Sequence, residues 1–474
     1  MFTGAWESSG RGELTVVNPA TGEALAAVAD CGGDEVARSA RAAAEAQGAW
    51  AARPAAERAA VLRRAGDLWR SHADEVARWL VAEAGSVPAK GAFEAAFAAD
   101  ECFEAAALAT RPPGTLLDSA LPRLSYARRV PAGVVGVIAP FNFPLVLAVR
   151  AVAPALALGN AVLLKPDPRT PVSGGVALAR VFEEAGLPRG VLHVLPGGAE
   201  AGRAVTADPR VRVVAFTGSP AAGRAVGEEA ARSMKRAHLE LGGNSAVVVL
   251  DDADLDAAVA AAAWGSFFHQ GQICMATGRH LVHERVAEEY VARLAERARS
   301  LVVGDPMKED VDLGPLIDAG QRDKVHALVR DSVAGGARLV TGGTYDGLYY
   351  RPTVLTGVTD DSPAYREEVF GPVAPVRSFA TFEEAVSLAR DSRYGLSLGV
   401  FTRDVMKGLD LADRVPTGLV HINDQTVDDE AVAPFGGLAG SGNGARLGGE
   451  ANLDAFTETR WITVAGAAPP RAFR

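Results

Sequence analysis

Cysteine is scarce in this sequence, and the few cysteines suggest neither a disulfide nor a metal site. The three, Cys31, Cys102 and Cys274, form no C-x-x-C pair and have no metal-ligand spacing with any of the eight histidines. For Cys31 and Cys102 this favours the usual fate of a free cysteine, a small buried side chain. The pattern therefore predicts reduced thiols, a cytoplasmic protein and no bound metal.

Long apolar runs and an excess of basic charge are also missing. The most apolar stretch, residues 145–164, is interrupted by Arg150, Pro154 and Gly159, so it predicts a buried helix and strand rather than a membrane span. The opening MFTGAWESSG has no basic segment leading into an apolar one, and we expect no signal peptide. The net charge of −10 argues against nucleic acid or an anionic membrane as the main partner.

The composition that is present is typical of a globular α/β protein. The 474 residues are 48% hydrophobic and 22% charged, which leaves room for about three domains of roughly 150 residues each. Residues 34–109 have an Ala-rich helical pattern, for which Asp34 is a plausible N-cap. Apolar runs that predict strands, among them 161–165 and 245–249, then alternate with helices from residue 134 to 249. This alternation predicts a doubly wound parallel sheet, which binds ligands at the carboxyl ends of its strands.

One helix start within this unit is suited to bind a phosphate. The dinucleotide fingerprint G-x-G-x-x-G is absent, and the predicted strand 211–216 is followed instead by T-G-S-P-A-A-G. Ser219 is a favourable N-cap and Pro220 a favourable first helical residue. The free N–H groups and the positive dipole end of such a helix favour an anion.

The candidate chemistry of the chain centres on a carboxylate and a thiol. Glu240 is followed by Gly242 and Gly243, where backbone can approach a ligand closely. Cys274 comes 34 positions after Glu240, in a small loop from Gly271 to Thr277. A thiol nucleophile needs a base that activates it or its attacking water, and a carboxylate across a cleft can be that base.

Several motifs together resemble the aldehyde dehydrogenase superfamily. They are VNPATGE at 17–23, ELGG at 240–243, GQIC at 271–274 and PFGG at 434–437, and they span nearly the whole chain. HQGQICMAT and TETRWITV are similar to the benzaldehyde and vanillin dehydrogenase branch. The resemblance implies a Rossmann-type cofactor domain (1–112 and 132–243), an α/β catalytic domain (244–442) and a small β oligomerisation arm (113–131 and 443–474). It also implies a homodimer or homotetramer.

The resemblance implies NAD as the cofactor, with NADP as an alternative. The implied cofactor contacts are Ala139, Pro140, Phe141, Lys165, Asp167, Pro168, Gly198, Gly202, Thr217, Gly218, Ser219, Leu241, Gly242, Glu368 and Phe370. Many relatives have K-P-x-E, whose glutamate binds the ribose 2′-hydroxyl and repels a 2′-phosphate. This chain has K-P-D-P, with Pro168 in the glutamate's place and Arg169 beside it. The penalty against NADP is therefore weaker, although Asp167 restores part of it.

The resemblance also implies the catalytic roles. Cys274 would attack an aldehyde to form a thiohemiacetal and then a thioester, and Glu240 would activate the water that releases the acid. The Asn142 side chain and the Cys274 N–H would stabilise the oxyanion. Phe143, Ile273 and Phe435 would form an apolar wall for the ring of a benzaldehyde- or vanillin-like substrate.

Alternatives remain open at this point. The substrate could be an aliphatic aldehyde or a semialdehyde, the acyl group could pass to coenzyme A, or the chain could be a non-catalytic scaffold on the same fold. His269 could form a Cys–His pair with Cys274. Asn142 could be only a turn residue, and Glu240 or Lys165 only a surface charge.

Overall fold

The computed structural model describes residues 1–467. The predicted segment 443–474 therefore extends beyond the described part of the chain. The α-helices are α1 Gly33–Ala51, α2 Ala55–Ser71, α3 Ala73–Ala84, α4 Pro88–Ala109, α5 Pro144–Ala157, α6 Ala177–Glu184, α7 Ala199–Ala207, α8 Pro220–Arg232, α9 Leu255–Phe267, α10 Glu284–Ser300, α11 Ala319–Ala334, α12 Pro363–Arg366, α13 Phe382–Arg390, α14 Val405–Arg414 and α15 Ala451–Phe456.

The strands fall into several sheets. They are β1 Glu13–Val17, β2 Ala24–Ala29, β3 Gly114–Leu116, β4 Leu124–Pro131, β5 Val134–Ile138, β6 Ala161–Lys165, β7 Leu192–Val194, β8 Val211–Gly218, β9 Arg236–Leu241, β10 Ser245–Val249, β11 Thr277–His283, β12 Arg338–Thr341, β13 Tyr345–Asp346, β14 Tyr349–Tyr350, β15 Thr353–Thr356, β16 Val373–Phe379, β17 Ser397–Phe401, β18 Leu419–Ile422 and β19 Thr457–Val464. Two of the sheets are large and mostly parallel, which confirms the predicted α/β class.

The first large sheet has the strand order β7-β6-β5-β8-β9, and all of its strands are parallel. Every residue of β5 and β6 is buried, because helices cover both faces of the sheet. The carboxyl ends of its strands lie at one edge. The predicted ligand-binding turns after Ile138, Lys165 and Gly218 are thereby brought to the same edge.

The second large sheet has the order β12-β15-β16-β11-β10-β17-β18. Only the edge strand β12 runs antiparallel to its neighbour. The Cys274 loop precedes β11, near the middle of this sheet, whereas Glu240 is near the end of β9 in the first sheet. The two residues therefore come from different sheets.

A small antiparallel sheet joins two distant parts of the chain. β19 pairs along its whole length with β4, from Thr457 opposite Pro131 to Val464 opposite Leu124, and β3 pairs with the other side of β4. Apolar side chains on this sheet remain exposed, including Leu116, Leu124 and Trp461.

The start of α1 differs from the expectation. The N-cap is Gly32, and Asp34 lies inside the first turn. The Glu35 carboxylate accepts a hydrogen bond from the Gly32 N–H at 2.9 Å, so it satisfies a backbone donor that an N-terminal cap normally serves. Among residues 1–467, no helix is both long and apolar enough to cross a membrane.

Candidate active site

Cys274 is presented by a tight turn. His269, Gln270 and Gly271 all have left-handed backbone, with φ of 47°, 56° and 66°. A Cβ at Gly271 would lie 2.2 Å from the Gly371 carbonyl oxygen, so only glycine fits there. The loop is fixed by the Gln270 side-chain amide, which donates to two carbonyl oxygens of other segments, at 3.0 and 2.7 Å.

The backbone N–H of Cys274 is available to a ligand. The Ala276 N–H donates to the Ile273 carbonyl at 2.9 Å, which closes a turn with Cys274 at its second position. Within residues 1–467 the Cys274 N–H donates to no protein acceptor. Burial raises the pKa of the Cys274 thiol to about 12, and the negative charges of Glu368 and Glu240 add to that effect.

Asn142 lies beside this turn. It is 3% exposed and belongs to the segment between β5 and α5, where Pro144 is the first helical residue. Its side-chain amide donates to the Gln272 carbonyl at 2.9 Å. Asn142 and Cys274 both line the same two cavities, which therefore meet at the thiol.

Glu240 is a buried carboxylate on the cleft wall. It is 4% exposed, and neither carboxylate oxygen accepts a protein hydrogen bond within the described residues. Burial raises the pKa of Glu240 well above its ordinary value, and the charge of Arg446 is the largest opposing influence. A surface carboxylate would show neither property, so the geometry is inconsistent with the alternative of a simple surface charge.

The first cavity is apolar and has a volume of about 260 Å³. All three predicted wall residues, Phe143, Ile273 and Phe435, line it, together with Cys274. Further lining residues not predicted from the sequence are Ala89, Phe93, Phe97, Val146, Leu147, Trp264, Phe268, Met275, Gln425, Val427, Asp428 and Asp429.

Behind this wall lies a buried group of charges. The Arg150 guanidinium, 2% exposed, donates to Glu101 at 3.0 Å and to both carboxylate oxygens of Asp429. It also lies over the rings of Phe97 and Phe435, at 5.4 and 5.0 Å from their centroids. The charge of Arg150 is thus compensated by two carboxylates, and it supports the aromatic wall from behind.

The second cavity is a cleft of about 380 Å³ at the carboxyl edge of the first sheet. Of the predicted cofactor contacts, it is lined by Ala139, Pro140, Phe141, Lys165, Asp167, Thr217, Gly218, Ser219, Leu241, Gly242, Glu368 and Phe370. Pro168, Gly198 and Gly202 are not among its lining residues. Lining residues absent from the predicted set are Ile138, Leu147, Arg169, Phe216, Ala222, Gln321 and Lys324.

The helix start after β8 has the predicted form. Ser219 is the N-cap of α8, its hydroxyl accepts from the Ala222 N–H at 3.3 Å, and Pro220 is the first helical residue. This puts the positive end of a 13-residue helix on the cleft wall. A phosphate group is therefore suited to this position.

The opposite side of the cleft is closed by Glu368 and Phe370. A Glu368 carboxylate oxygen accepts from the Gly243 N–H at 2.9 Å, and burial raises the pKa of Glu368 to about 7. A Cβ on Gly242 would lie 2.1 Å from the other oxygen of Glu368, which explains the glycine. Phe370 packs edge-to-face against Phe141 at 5.8 Å.

Lys165 and Arg169 are two of the three cations that line this cleft, and they differ in their partners. Arg169 donates to Asp167 at 2.9 Å and to Asp318 at 2.8 Å. Lys165 is 7% exposed and makes no hydrogen bond through its ammonium within residues 1–467. A buried cation with unused donors favours a polar ligand in the cleft.

His269 does not support a Cys–His pair. It is fully buried, packs edge-to-face on Phe143, and neither ring nitrogen has a protein partner among the described residues. Burial lowers its pKa well below the ordinary value, so it is neutral. The described residues also contain no group of three His, Cys, Asp or Glu side chains placed to hold a metal ion.

Comparison with known proteins places this site in a family. The sequence profile of the aldehyde dehydrogenase family matches residues 6–462. The chain belongs to the aldehyde dehydrogenase family. It is 64% identical over 467 residues to a vanillin dehydrogenase of an Amycolatopsis species, covering 98% of this chain and 96% of the relative.

Two further relatives agree with that assignment. The chain is 49% identical over 465 residues to an NAD⁺ benzaldehyde dehydrogenase of Pseudomonas putida, covering 98% of this chain and 96% of that protein. The structure of a Staphylococcus aureus betaine aldehyde dehydrogenase in complex with NAD⁺ superposes with a TM-score of 0.97 at 30% identity. That match covers 100% of this chain and 96% of the other. The aldehyde dehydrogenase fold predicted from the motifs is thereby confirmed.

The residues that sequence reasoning missed have a common feature. Phe93 and Phe97 lie on α4 and Trp264 on α9, helices whose pattern indicates only that one face is buried. No motif marks them, and their side chains reach the cavity only after the helices pack. Phe268 adjoins the GQIC loop, so its nearness to Cys274 in sequence was an available signal.

Proposed function

We propose that this protein oxidises an aromatic aldehyde to the carboxylic acid, with NAD as the preferred cofactor. The proposal is carried by one arrangement: Cys274, Asn142 and Leu147 line both an aromatic-lined cavity and the cleft at the edge of the first sheet. An aldehyde in the first and a cofactor in the second can then both reach the Cys274 sulfur. The vanillin and benzaldehyde dehydrogenases among the relatives support the aromatic substrate.

The reaction begins at the thiol. The Cys274 thiol loses its proton to solvent, the sulfur attacks the aldehyde carbon, and a thiohemiacetal forms as the carbonyl oxygen gains negative charge. The free Cys274 N–H and the Asn142 amide donate hydrogen bonds to that oxygen. The amide has two N–H groups, and the Gln272 carbonyl accepts from only one of them. An amide suits this role because it donates without carrying a charge.

The cleft residues fit a nicotinamide dinucleotide. Ser219 and the N–H groups at the start of α8 would hold the pyrophosphate of the dinucleotide. Lys165 would hold the adenosine ribose, and Glu368 and Leu241 would contact the nicotinamide end. The polar donors left unused at Lys165 are consistent with this. A bound nicotinamide would supply the hydride acceptor that is needed to oxidise the Cys274 adduct to a thioester.

Glu240 completes the cycle. Its carboxylate takes a proton from a water molecule, the hydroxide attacks the thioester, and the acid leaves with the thiol restored. Burial and the missing hydrogen-bond partners keep this carboxylate basic. A base within the protein makes water the expected acyl acceptor in place of coenzyme A.

The aromatic substrate is supported by the wall of the first cavity. Phe97, Phe143, Phe268 and Phe435 surround it, and their rings can pack against a second ring at its faces and edges. Two cations contact the wall, and both are compensated: Arg150 by Glu101 and Asp429, and Lys90 by Glu94, so neither is free to bind a substrate carboxylate. This disfavours semialdehydes.

The charges beside the cofactor cleft favour NAD over NADP. Arg169, the cation that could meet a 2′-phosphate, is engaged by Asp167 and Asp318. Asp167 lines the cleft and would repel a second phosphate there. The absent glutamate at Pro168 is thus replaced in function by an acidic neighbour.

We further propose that the protein is a homodimer or homotetramer in the cytoplasm. The exposed apolar side chains of the three-stranded sheet, including Leu116 and Trp461, favour burial against a second copy. The three free cysteines favour a reducing compartment. We assign cofactor binding to residues 1–112 and 132–243, catalysis to 244–442, and subunit contact to the two remaining segments.

A panel of aldehydes tests the proposal. NADH formation is followed at fixed pH with benzaldehyde, vanillin, acetaldehyde and succinic semialdehyde, and each is repeated with NADP and with added coenzyme A. We expect kcat/KM to be at least tenfold higher for the aromatic aldehydes and NAD, with acid as the product in every case. Faster oxidation of the aliphatic or carboxylated aldehydes would refute the aromatic assignment, and an acyl-CoA product would refute hydrolysis.

A further inference from the structure

The segment that carries Asn142 is held by a buried ion pair outside both cavities. Lys90 and Glu94 lie one turn apart on α4, their side chains are fully buried, and they contact each other directly. Neither lines the aldehyde cavity or the cofactor cleft. Their neighbours on the next face of the helix, Ala89, Phe93 and Phe97, do line the aldehyde cavity.

The remaining bonds of this ion pair end on residues 142–146. The Lys90 ammonium donates to the main-chain carbonyl of Asn142 at 2.7 Å. A Glu94 carboxylate oxygen accepts from the N–H groups of Leu145 and Val146, at 3.1 and 3.2 Å. These two N–H groups belong to the first turn of α5 and have no carbonyl partner within that helix.

The same lysine contacts the substrate wall. Its ammonium lies 4.3 Å from the centroid of the Phe143 ring, and His269 packs against that ring at 5.6 Å. A shift of Lys90 would therefore move the main chain that directly follows the Asn142 Cα. The side-chain amide of Asn142 would move with it.

Stability alone is a weak reason for this arrangement. Taking two opposite charges out of water costs about as much as their attraction returns, and an apolar pair of similar volume is often as stable. The hydrogen bonds that this pair makes are, however, directional. They fix the position and orientation of residues 142–146. An oxyanion donor must be held to within about 0.5 Å of its productive position.

We propose that Lys90 and Glu94 are positioning residues that hold the Asn142 amide where the oxyanion forms. The proposal rests on the proposed function, because it needs Asn142 to be an oxyanion donor. Neither residue touches the substrate or the cofactor. Their effect on catalysis is expected to pass mainly through Asn142, with a smaller part through the Phe143 ring.

A double-mutant cycle with Lys90→Met and Asn142→Ala tests this directly. We expect Lys90→Met to lower kcat/KM for benzaldehyde about tenfold in the otherwise unchanged protein, and less than twofold when Asn142 is already replaced by alanine. The KM for NAD and the rate of Cys274 alkylation by iodoacetamide should change less than twofold. A purely structural role would lower kcat/KM by the same factor in both backgrounds.

Glu83→Gln is the matched control. Glu83 is likewise buried on a helix, and it accepts from the N–H groups of Val172 and Ser173, both at 2.7 Å, without contact to the Asn142 segment. We expect its effect on kcat/KM, whatever its size, to be the same in the unchanged protein and in the Asn142→Ala variant. Coupling as strong as that of Lys90 would overturn the proposal.

A second variant tests whether Lys90→Met is slow only because it misfolds. Lys90→Met combined with Glu94→Gln removes both charges and keeps an acceptor for α5, so it should fold while remaining slow. Recovery of full activity in this variant, or an unchanged rate in Lys90→Met, would overturn the positioning role. An Asn142→Ala variant with unchanged kcat/KM would instead refute the donor role of Asn142 in the proposed function.

Discussion

Replacing Asn142 by alanine is the most informative single test of the active site. Removing one oxyanion donor costs about 3 kcal/mol of transition-state stabilisation. The Asn142 amide carries two N–H groups, so one can stay bonded to the Gln272 carbonyl while the other donates to the oxyanion. The expected loss on replacement by alanine is therefore about 3 kcal/mol, or more than a hundredfold in kcat/KM.

The assay is NADH formation from benzaldehyde under saturating NAD. Alkylation of Cys274 by iodoacetamide serves as the control, because it needs the thiol but no oxyanion donor. We expect that control to change less than twofold. Equal losses in both assays would mean that the substitution disturbs the thiol itself.

Asn142→Asp tests whether Asn142 acts as a hydrogen-bond donor or only as a packing residue. Aspartate has nearly the shape of asparagine, but an ionised carboxylate repels the oxyanion. We expect the aspartate variant to be slower than the alanine variant. If aspartate retains more activity than alanine, or if alanine costs less than threefold, Asn142 serves only to shape the turn and the reasoning is refuted.

Three further predictions concern other parts of the site. Only ionised Glu240 accepts a proton, and burial raises its pKa well above the ordinary value, so kcat should fall about tenfold per pH unit below an apparent pKa that lies well above 4.5. Glu240→Gln should remove this acidic limb of the pH profile and accumulate acyl-enzyme. An apparent pKa near 4.5 would contradict the prediction. Phe435→Ala should reduce kcat/KM for benzaldehyde about tenfold and for acetaldehyde much less. In a denaturant titration it should lower the free energy of unfolding by about 3 kcal/mol. Equal losses of kcat/KM for both aldehydes would argue against a ring-binding wall. Asp167→Ser should raise kcat/KM for NADP relative to NAD about fivefold, since it leaves Arg169 paired with Asp318 alone and removes a negative charge worth about 1 kcal/mol. An unchanged ratio would exclude Asp167 and Arg169 from cofactor selection.

The local architecture could be predicted in detail wherever it depends on short-range rules. The strand 161–165 and the strand 245–249 were predicted with the boundaries observed, because continuous apolar runs ended by polar residues specify buried parallel strands. The start of α8 at Ser219 and Pro220 follows from capping chemistry. Asp34 shows where these rules fail, because a glutamate one residue later satisfies the N-terminal backbone donor instead.

The sequence by itself determined the succession of elements, the family and the three candidate catalytic residues, because each depends on neighbours in the chain or on a motif. The tertiary structure alone decided which helices form the aldehyde cavity, and how distant charges pair. Arg150 meets Asp429 across 279 positions, and Lys90 meets the Asn142 carbonyl across 52. A helical pattern shows that one face of a helix is buried but not which residues cover it. Burial depends on the polarity of the side chains, whereas the identity of the covering residues depends on how whole helices and sheets pack.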